Sequence, residues 1–94
     1  MTGKEYFYRG DTYRMQGKYD EAIEAFTKAI ELDDEYVFSS YVNLGVVYFE
    51  KGEYDKAIDA CTKAIELDPG FIGAYYNRGG AYCKQGKYCS CGNE

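Results

Sequence analysis

The chain has 94 residues, 46% of them hydrophobic, which corresponds to one small globular domain and excludes a disordered chain. No apolar run reaches the roughly eighteen residues of a membrane span, and the N-terminus lacks a signal-peptide layout, so we expect a cytoplasmic protein without membrane contact. The net charge is −5, and it is unevenly distributed: residues 1–70, with fifteen acidic and eight basic residues, carry −7. An acidic body argues against binding nucleic acid.

One stretch of the sequence occurs twice. Residues 17–33 read GKYDEAIEAFTKAIELD and residues 52–68 read GEYDKAIDACTKAIELD, so 13 of 17 positions are identical. A tyrosine–glycine–tyrosine pattern precedes each copy and then occurs a third time: Tyr6, Gly10 and Tyr13; Tyr41, Gly45 and Tyr48; Tyr75, Gly79 and Tyr82. A fixed period of 34 or 35 residues is typical of a repeat protein.

The first repeat predicts two helices. Lys4 to Gln16 forms the first, and Gly17 ends it because glycine adopts the left-handed backbone that closes a helix. Asp20 is expected to cap the second helix by accepting backbone N–H bonds. That helix carries an apolar stripe at helical spacing, formed by Ala22, Ile23, Phe26, Ala29 and Ile30. A short acidic turn at residues 33–35 follows.

The second and third repeats follow the same order. A helix is predicted over Val37 to Lys51, then a cap at Asp55 and a second apolar stripe of Ala57, Ile58, Cys61, Ala64 and Ile65. Pro69 predicts a sharp turn, because proline lacks the N–H that would continue the helix. A fifth helix is expected over Phe71 to Gln85, and residues 89–94 are expected to form a frayed tail.

These motifs resemble the tetratricopeptide repeat, whose pattern W-x2-L-G-x2-Y … A-x3-F … A … P is matched with tyrosine in the tryptophan position. In the second repeat the pattern falls on Tyr41, Leu44, Gly45, Tyr48, Ala57, Cys61, Ala64 and Pro69. The resemblance implies an all-α, right-handed superhelical solenoid of antiparallel helix pairs with five helices. It implies a single domain over residues 1–94, with repeats at about 3–36 and 38–71 and a half repeat at 72–88. The first repeat has one surplus residue, between Asp33 and Ser40, which leaves the stacking angle of the second pair open.

The resemblance also implies a function. In this family the first helix of each pair lines a concave groove that binds peptides, so the chain is expected to be a protein–protein interaction module, not an enzyme, without cofactor or metal. Carried over by position, the groove residues are Phe7, Tyr8, Asp11, Val42, Asn43, Val46, Phe49, Tyr76 and Asn77. Apolar side chains at such positions provide anchors, and amides provide hydrogen bonds to a bound backbone. The alternative for these rings is packing between helices.

A well-known subset of the family clamps the C-terminal carboxylate of chaperone tails through basic and asparagine side chains at five positions. In this chain those positions hold Phe7, Asp11, Asn43, Gly73 and Asn77, of which only Asn43 matches. The carboxylate of Asp11 would repel another carboxylate. The sequence therefore predicts that acidic chaperone tails do not bind.

Two other roles stay open. The chain could be a structural or self-assembling repeat scaffold, as a fragment or an engineered array, that associates through the fifth helix at its C-terminal end. The second role is a metal or redox site built from Cys83, Cys89 and Cys91. The lack of histidine and of Cys-x2-Cys spacing favours free thiols instead. With no histidine and no nucleophile beside a base, catalysis has no support in the sequence.

Overall fold

The computed structural model describes residues 2–32 and 34–86. Its elements are α1 (Gly3–Met15), α2 (Tyr19–Leu32), a 3-10 turn at Asp34–Tyr36, α3 (Val37–Lys51), α4 (Tyr54–Leu67) and α5 (Ile72–Lys84). The described residues contain five α-helices and no strand, which confirms the all-α prediction. The predicted bounds of α1, α3 and α5 agree with these to within one residue. The tail 89–94 and the last two residues of the half repeat lie outside the described residues.

Local hydrogen bonds determine where the first helix starts and how the chain turns after it. Thr2 caps α1: its hydroxyl accepts from the backbone N–H of Glu5 at 3.2 Å, and its own N–H donates to the Glu5 carboxylate at 2.9 Å. The bond from the Thr2 backbone lowers the pKa of Glu5. Gly17 and Gly52 follow α1 and α3 with φ of +79° and +90°, the left-handed region that favours glycine.

The predicted caps at Asp20 and Asp55 are wrong. Helix α2 begins at Tyr19, so Asp20 lies within its first turn, and the residue that precedes α4 is Glu53, whose side chain makes no capping bond. The reason is the tight turn after α1 and α3. The N–H of Lys18 donates to the Tyr13 carbonyl at 2.9 Å, and the N–H of Glu53 donates to Tyr48 at 2.8 Å, so the chain enters the next helix without an extended capping residue.

The helix pairs are held together by close contacts over glycine. Phe26 of α2 and Cys61 of α4 are buried at equivalent positions of the two repeats. A Cβ atom at Gly10 would lie 2.9 Å from the Phe26 ring, and one at Gly45 would lie 2.7 Å from the sulfur of Cys61. Both distances are too short for any side chain, so α1 packs on α2 and α3 on α4 only because these positions are glycine.

The first helices of the units form one surface. Helix α3 contacts both α1 and α5, while α2 packs between α1 and α3, and α4 between α3 and α5. The 3-10 turn takes up the surplus residue of the first unit and places the Tyr36 ring 5.2 Å from that of Phe7, measured between centroids.

Among the described helices, none is both long and apolar enough to cross a bilayer.

We expect Phe26→Ala to lower the free energy of unfolding by ~3–5 kcal/mol, because a buried ring is replaced by a cavity. That is a large part of the ~5–14 kcal/mol typical of a domain of this length. Cys61→Ala should cost distinctly less, because a single sulfur atom leaves the core. Urea denaturation followed by circular dichroism measures both values, and equal losses would show that the two pairs are not packed equivalently.

Candidate functional site

A cavity of about 260 Å³ opens between α3 and α5 on the surface formed by the first helices. It is lined by Val46, Phe49, Glu50, Tyr76, Asn77 and Gly80. Four of these residues are among the predicted groove residues, and they come from two helices that are about thirty residues apart in the sequence. Glu50 and Gly80 were not among the residues predicted from the sequence. Helical spacing could have indicated both, since Glu50 lies one turn after Val46 and Gly80 lies one turn after Tyr76.

The two aromatic residues that line the cavity differ in packing and exposure. The Phe49 ring is half-buried and packs edge-on against Tyr54, with 5.4 Å between ring centroids. It also faces Gly80, where a Cβ would lie 3.7 Å from the ring. Tyr76, on the other side, is 69% exposed. The cavity therefore has one wall fixed by packing and one wall available to a ligand.

The aromatic residues of α1 lie apart from this cavity. The Phe7 ring is half-buried and contacts Phe26 at 5.7 Å and Tyr36 at 5.2 Å between centroids. Tyr8 is 54% exposed and lines a separate, shallow depression with Lys4 and neighbouring residues of α1. The alternative of packing between helices thus applies to Phe7, while Tyr8 extends the surface beyond the cavity.

Charges and amides on this surface are arranged asymmetrically. Asp11 is paired with Arg14 at 2.8 Å, so neither charge is free. Val42 and Asn43 are half-buried on α3, one to two turns before the cavity. Within residues 2–32 and 34–86, no basic side chain pairs with Glu50. Glu50 is therefore the one charged residue that lines the cavity and has no ion-pair partner in the described chain.

A second charged group lies at the junction of the two repeats. The ammonium nitrogen of Lys51 lies 2.6 Å from the Asp20 carboxylate and 2.9 Å from that of Glu53. The hydrogen bond to Asp20 raises the pKa of Lys51 most, and the bond to Glu53 raises it further. The hydrogen bond from Lys51 in turn lowers the pKa of Glu53. The cluster joins the start of α2 to the end of α3, and the charge of Lys51 is already paired within the protein.

The cysteines do not form a site in the part of the chain that the structure describes. Cys61 is a buried free thiol, Cys83 is half-buried, and no cluster of three potential metal ligands occurs among the described residues. Burial raises the pKa of the Cys61 thiol to about 11, although Arg78 opposes the shift. Cys89 and Cys91 lie outside the described residues.

Three family models match the sequence: a tetratricopeptide-repeat model over residues 38–71, a TPR-repeat model over 10–52, and another tetratricopeptide-repeat model over 60–88. The chain belongs to the tetratricopeptide-repeat family. A comparison with curated proteins finds no match.

Solved tetratricopeptide-repeat structures share this fold. MamA superposes with a TM-score of 0.86 at 40% identity over 92% of this chain, which spans only 46% of the MamA chain. The second TPR of Spaghetti (RPAP3), bound to the HSP90 peptide SRMEEVD, superposes with a TM-score of 0.84 at 31% identity. That match covers 93% of this chain and 80% of the RPAP3 chain. Yeast Tom70 superposes with a TM-score of 0.82 at 30% identity, over 90% of this chain and 17% of its own.

We expect Cys61 to resist alkylation in the folded tetratricopeptide repeat, because it is buried and its raised pKa leaves almost no thiolate at pH 8. With iodoacetamide, the peptide that carries Cys61 should be modified about a hundredfold or more slowly in buffer than in 8 M urea, since a stable domain is rarely unfolded. Mass spectrometry of the digested protein measures both rates, and Cys61→Ser identifies the peptide. Equal rates in the two solvents would contradict the burial of Cys61.

Proposed function

We propose that this tetratricopeptide-repeat chain is an interaction module that binds a peptide segment of a partner protein along α1, α3 and α5. The observation that carries the proposal is the cavity between α3 and α5, which brings Val46, Phe49, Tyr76 and Asn77 together on one open surface. The RPAP3 repeats, which have the same fold, are bound to an HSP90 peptide. The proposed role is binding rather than catalysis, in the cytoplasm and without a cofactor.

The composition of the cavity suits a peptide. Exposed apolar surface next to a few polar groups provides affinity through burial and orientation through hydrogen bonds. Tyr76 and Phe49 supply the apolar surface, and the amide of Asn77 can both donate to and accept from a peptide backbone. The half-buried Asn43, at the equivalent position of α3, extends this polar line toward α1.

The ligand proposed here differs from an acidic chaperone tail. Of the five carboxylate-clamp positions, Phe7 packs on the core, and Asp11 carries the wrong charge. Arg14 of α1 already pairs with Asp11. A carboxylate that entered this groove would find few free donors and an unpaired Glu50.

Selection of random dodecapeptides displayed on phage against the immobilised chain tests the proposal. We expect synthetic versions of the enriched peptides to bind in titration calorimetry and Tyr76→Ala to weaken them about tenfold, since an exposed aromatic anchor is removed. Leu67→Ala, also at an exposed apolar residue but at the end of α4, is the control and should bind as the wild type does. If no peptide is enriched, or Tyr76→Ala binds normally, the groove is not the site.

In the same assay, the peptide SRMEEVD should show no binding at concentrations that saturate the selected peptides. Micromolar affinity for SRMEEVD would contradict the reading of the five clamp positions.

A specific observation favours self-association as a second function. Gly10 and Gly45 are buried under the second helix of their own units, whereas Gly79 at the equivalent position of α5 is only half-buried, and Tyr75 is 42% exposed. Within the described residues no further helix covers this face of α5. We propose a second copy of the chain as its occupant. The basic residues Arg78 and Lys84 beside this face complement the acidic residues 1–70 of another copy.

Light scattering over a wide concentration range, in the presence of reductant, measures this association. We expect the mass of the wild type to rise with concentration, and Tyr75→Glu to stay monomeric because a charge on this face opposes burial. Met15→Glu, which places the same charge on exposed α1, serves as the control and should associate normally. A wild type that stays monomeric at millimolar concentration excludes a second copy as the occupant.

A further inference from the structure

The cavity between α3 and α5 depends on a residue that has no side chain. The groove position occupied by Asp11 in the first unit and Val46 in the second is occupied by Gly80 in the third. Glycine destabilises the interior of a helix relative to alanine, so its presence in the middle of α5 calls for a reason. Packing does not supply one, unlike at Gly10 and Gly45. A Cβ at Gly80 would lie 3.7 and 3.9 Å from Phe49 ring atoms, which is an ordinary contact.

What glycine does provide at this position is space. Its missing Cβ would project toward the Phe49 ring, into the volume that the cavity occupies. The cavity measures about 260 Å³. An engineered apolar cavity of roughly 150 Å³ holds a benzene molecule, so this volume can take one leucine, methionine or phenylalanine side chain. Val46 and the two aromatic rings make its walls apolar.

The charge at the rim is equally informative. Glu50 lines the cavity without an ion-pair partner among the described residues, and the carboxylate of Asp11 on α1 is already neutralised by Arg14. Lys84 lies one turn beyond Gly80 on α5 and is not part of the lining. A peptide residue next to the one inserted in the cavity would therefore meet a free carboxylate.

We propose, on the basis of the peptide-binding function above, that this cavity selects peptides by one large apolar side chain followed or preceded directly by a lysine or arginine. Gly80 determines the depth of the cavity, so the inserted side chain packs against Phe49 and Tyr76. Glu50 contacts the adjacent cation. The ligand class is an apolar–basic peptide, opposite in charge to the acidic peptide SRMEEVD bound by the RPAP3 repeats.

The dodecapeptides enriched by phage selection provide the probes. We expect them to share a leucine, methionine or phenylalanine next to a basic residue. Gly80→Ala should lower the affinity for them about tenfold or more, since a methyl group in a filled pocket forces overpacking. The same change should leave the melting temperature equal to or above that of the wild type, because alanine favours the helix. Loss of binding without loss of stability distinguishes a pocket from a structural role.

Matched variants separate the two parts of the proposal. Gly70→Ala lies in the exposed turn before α5, where a Cβ meets only the Asp68 side chain at 3.6 Å, and it should bind normally. Glu50→Gln should weaken peptides with the basic residue about two- to fivefold and leave peptides with alanine at that place unchanged. Glu66→Gln on α4 is the charge control.

Peptides that need Tyr76 but lack the apolar–basic pattern, or that bind Gly80→Ala as well as the wild type, overturn this inference and leave the proposed function intact. The absence of any enriched peptide overturns both. Enrichment of acidic peptides overturns the claim that Glu50 contacts a basic residue of the peptide. Concentration-dependent shifts of the Glu50, Asn77 and Gly80 amide signals without peptide would instead identify a second copy as the occupant.

Discussion

The approach of two helices over a glycine is the contact on which this structure depends. Gly10 faces the ring of Phe26, and Gly45 faces the sulfur of Cys61, at distances that admit no Cβ on either glycine. Cysteine is much smaller than phenylalanine, yet its sulfur lies as near to the opposite helix as the ring does. Glycine is therefore required in both pairs, because in each of them the second helix packs directly against the first.

The surface shared by the first helices is a consequence of this pairing. The residues that pack α1 on α2 and α3 on α4 use one side of each first helix, so another side is left for a shared surface along α1, α3 and α5. The ion cluster of Asp20, Lys51 and Glu53 joins successive units at the ends of their helices. Through this cluster the carboxylate of Asp20, which lies in the first turn of α2, contacts the next unit.

The third unit combines the two kinds of glycine. Gly79 continues the series of Gly10 and Gly45, whose role is to let a second helix approach, whereas Gly80 follows the groove series of Asp11 and Val46. Arg78 replaces the leucine of the second unit and compensates through polar contacts. It donates to the Thr62 hydroxyl at 3.3 Å and lies over the Tyr75 ring at 5.6 Å. The half unit thus packs on α4 by different chemistry from that of Leu44 in the second unit.

The repeated sequence by itself determined the five helices, their pairing and the family. Each of these follows from one-dimensional information: helical periodicity, the glycine after each first helix, and the 35-residue period. The predicted caps at Asp20 and Asp55 were wrong because the tight backbone turn after Gly17 and Gly52, rather than the residue type, determines where the next helix begins.

Only the tertiary structure decided which of the predicted groove residues are exposed. Phe7 and Phe49 have the same residue type and were assigned the same role. Phe7 packs against Tyr36, which lies in the 3-10 turn that contains the surplus residue. Phe49 instead faces Gly80 of α5, 31 positions later in the sequence. The cavity exists because Phe49 faces this glycine across the two helices. Local periodicity specifies the face of a helix on which a side chain lies, but it does not specify what the neighbouring helix places opposite to it.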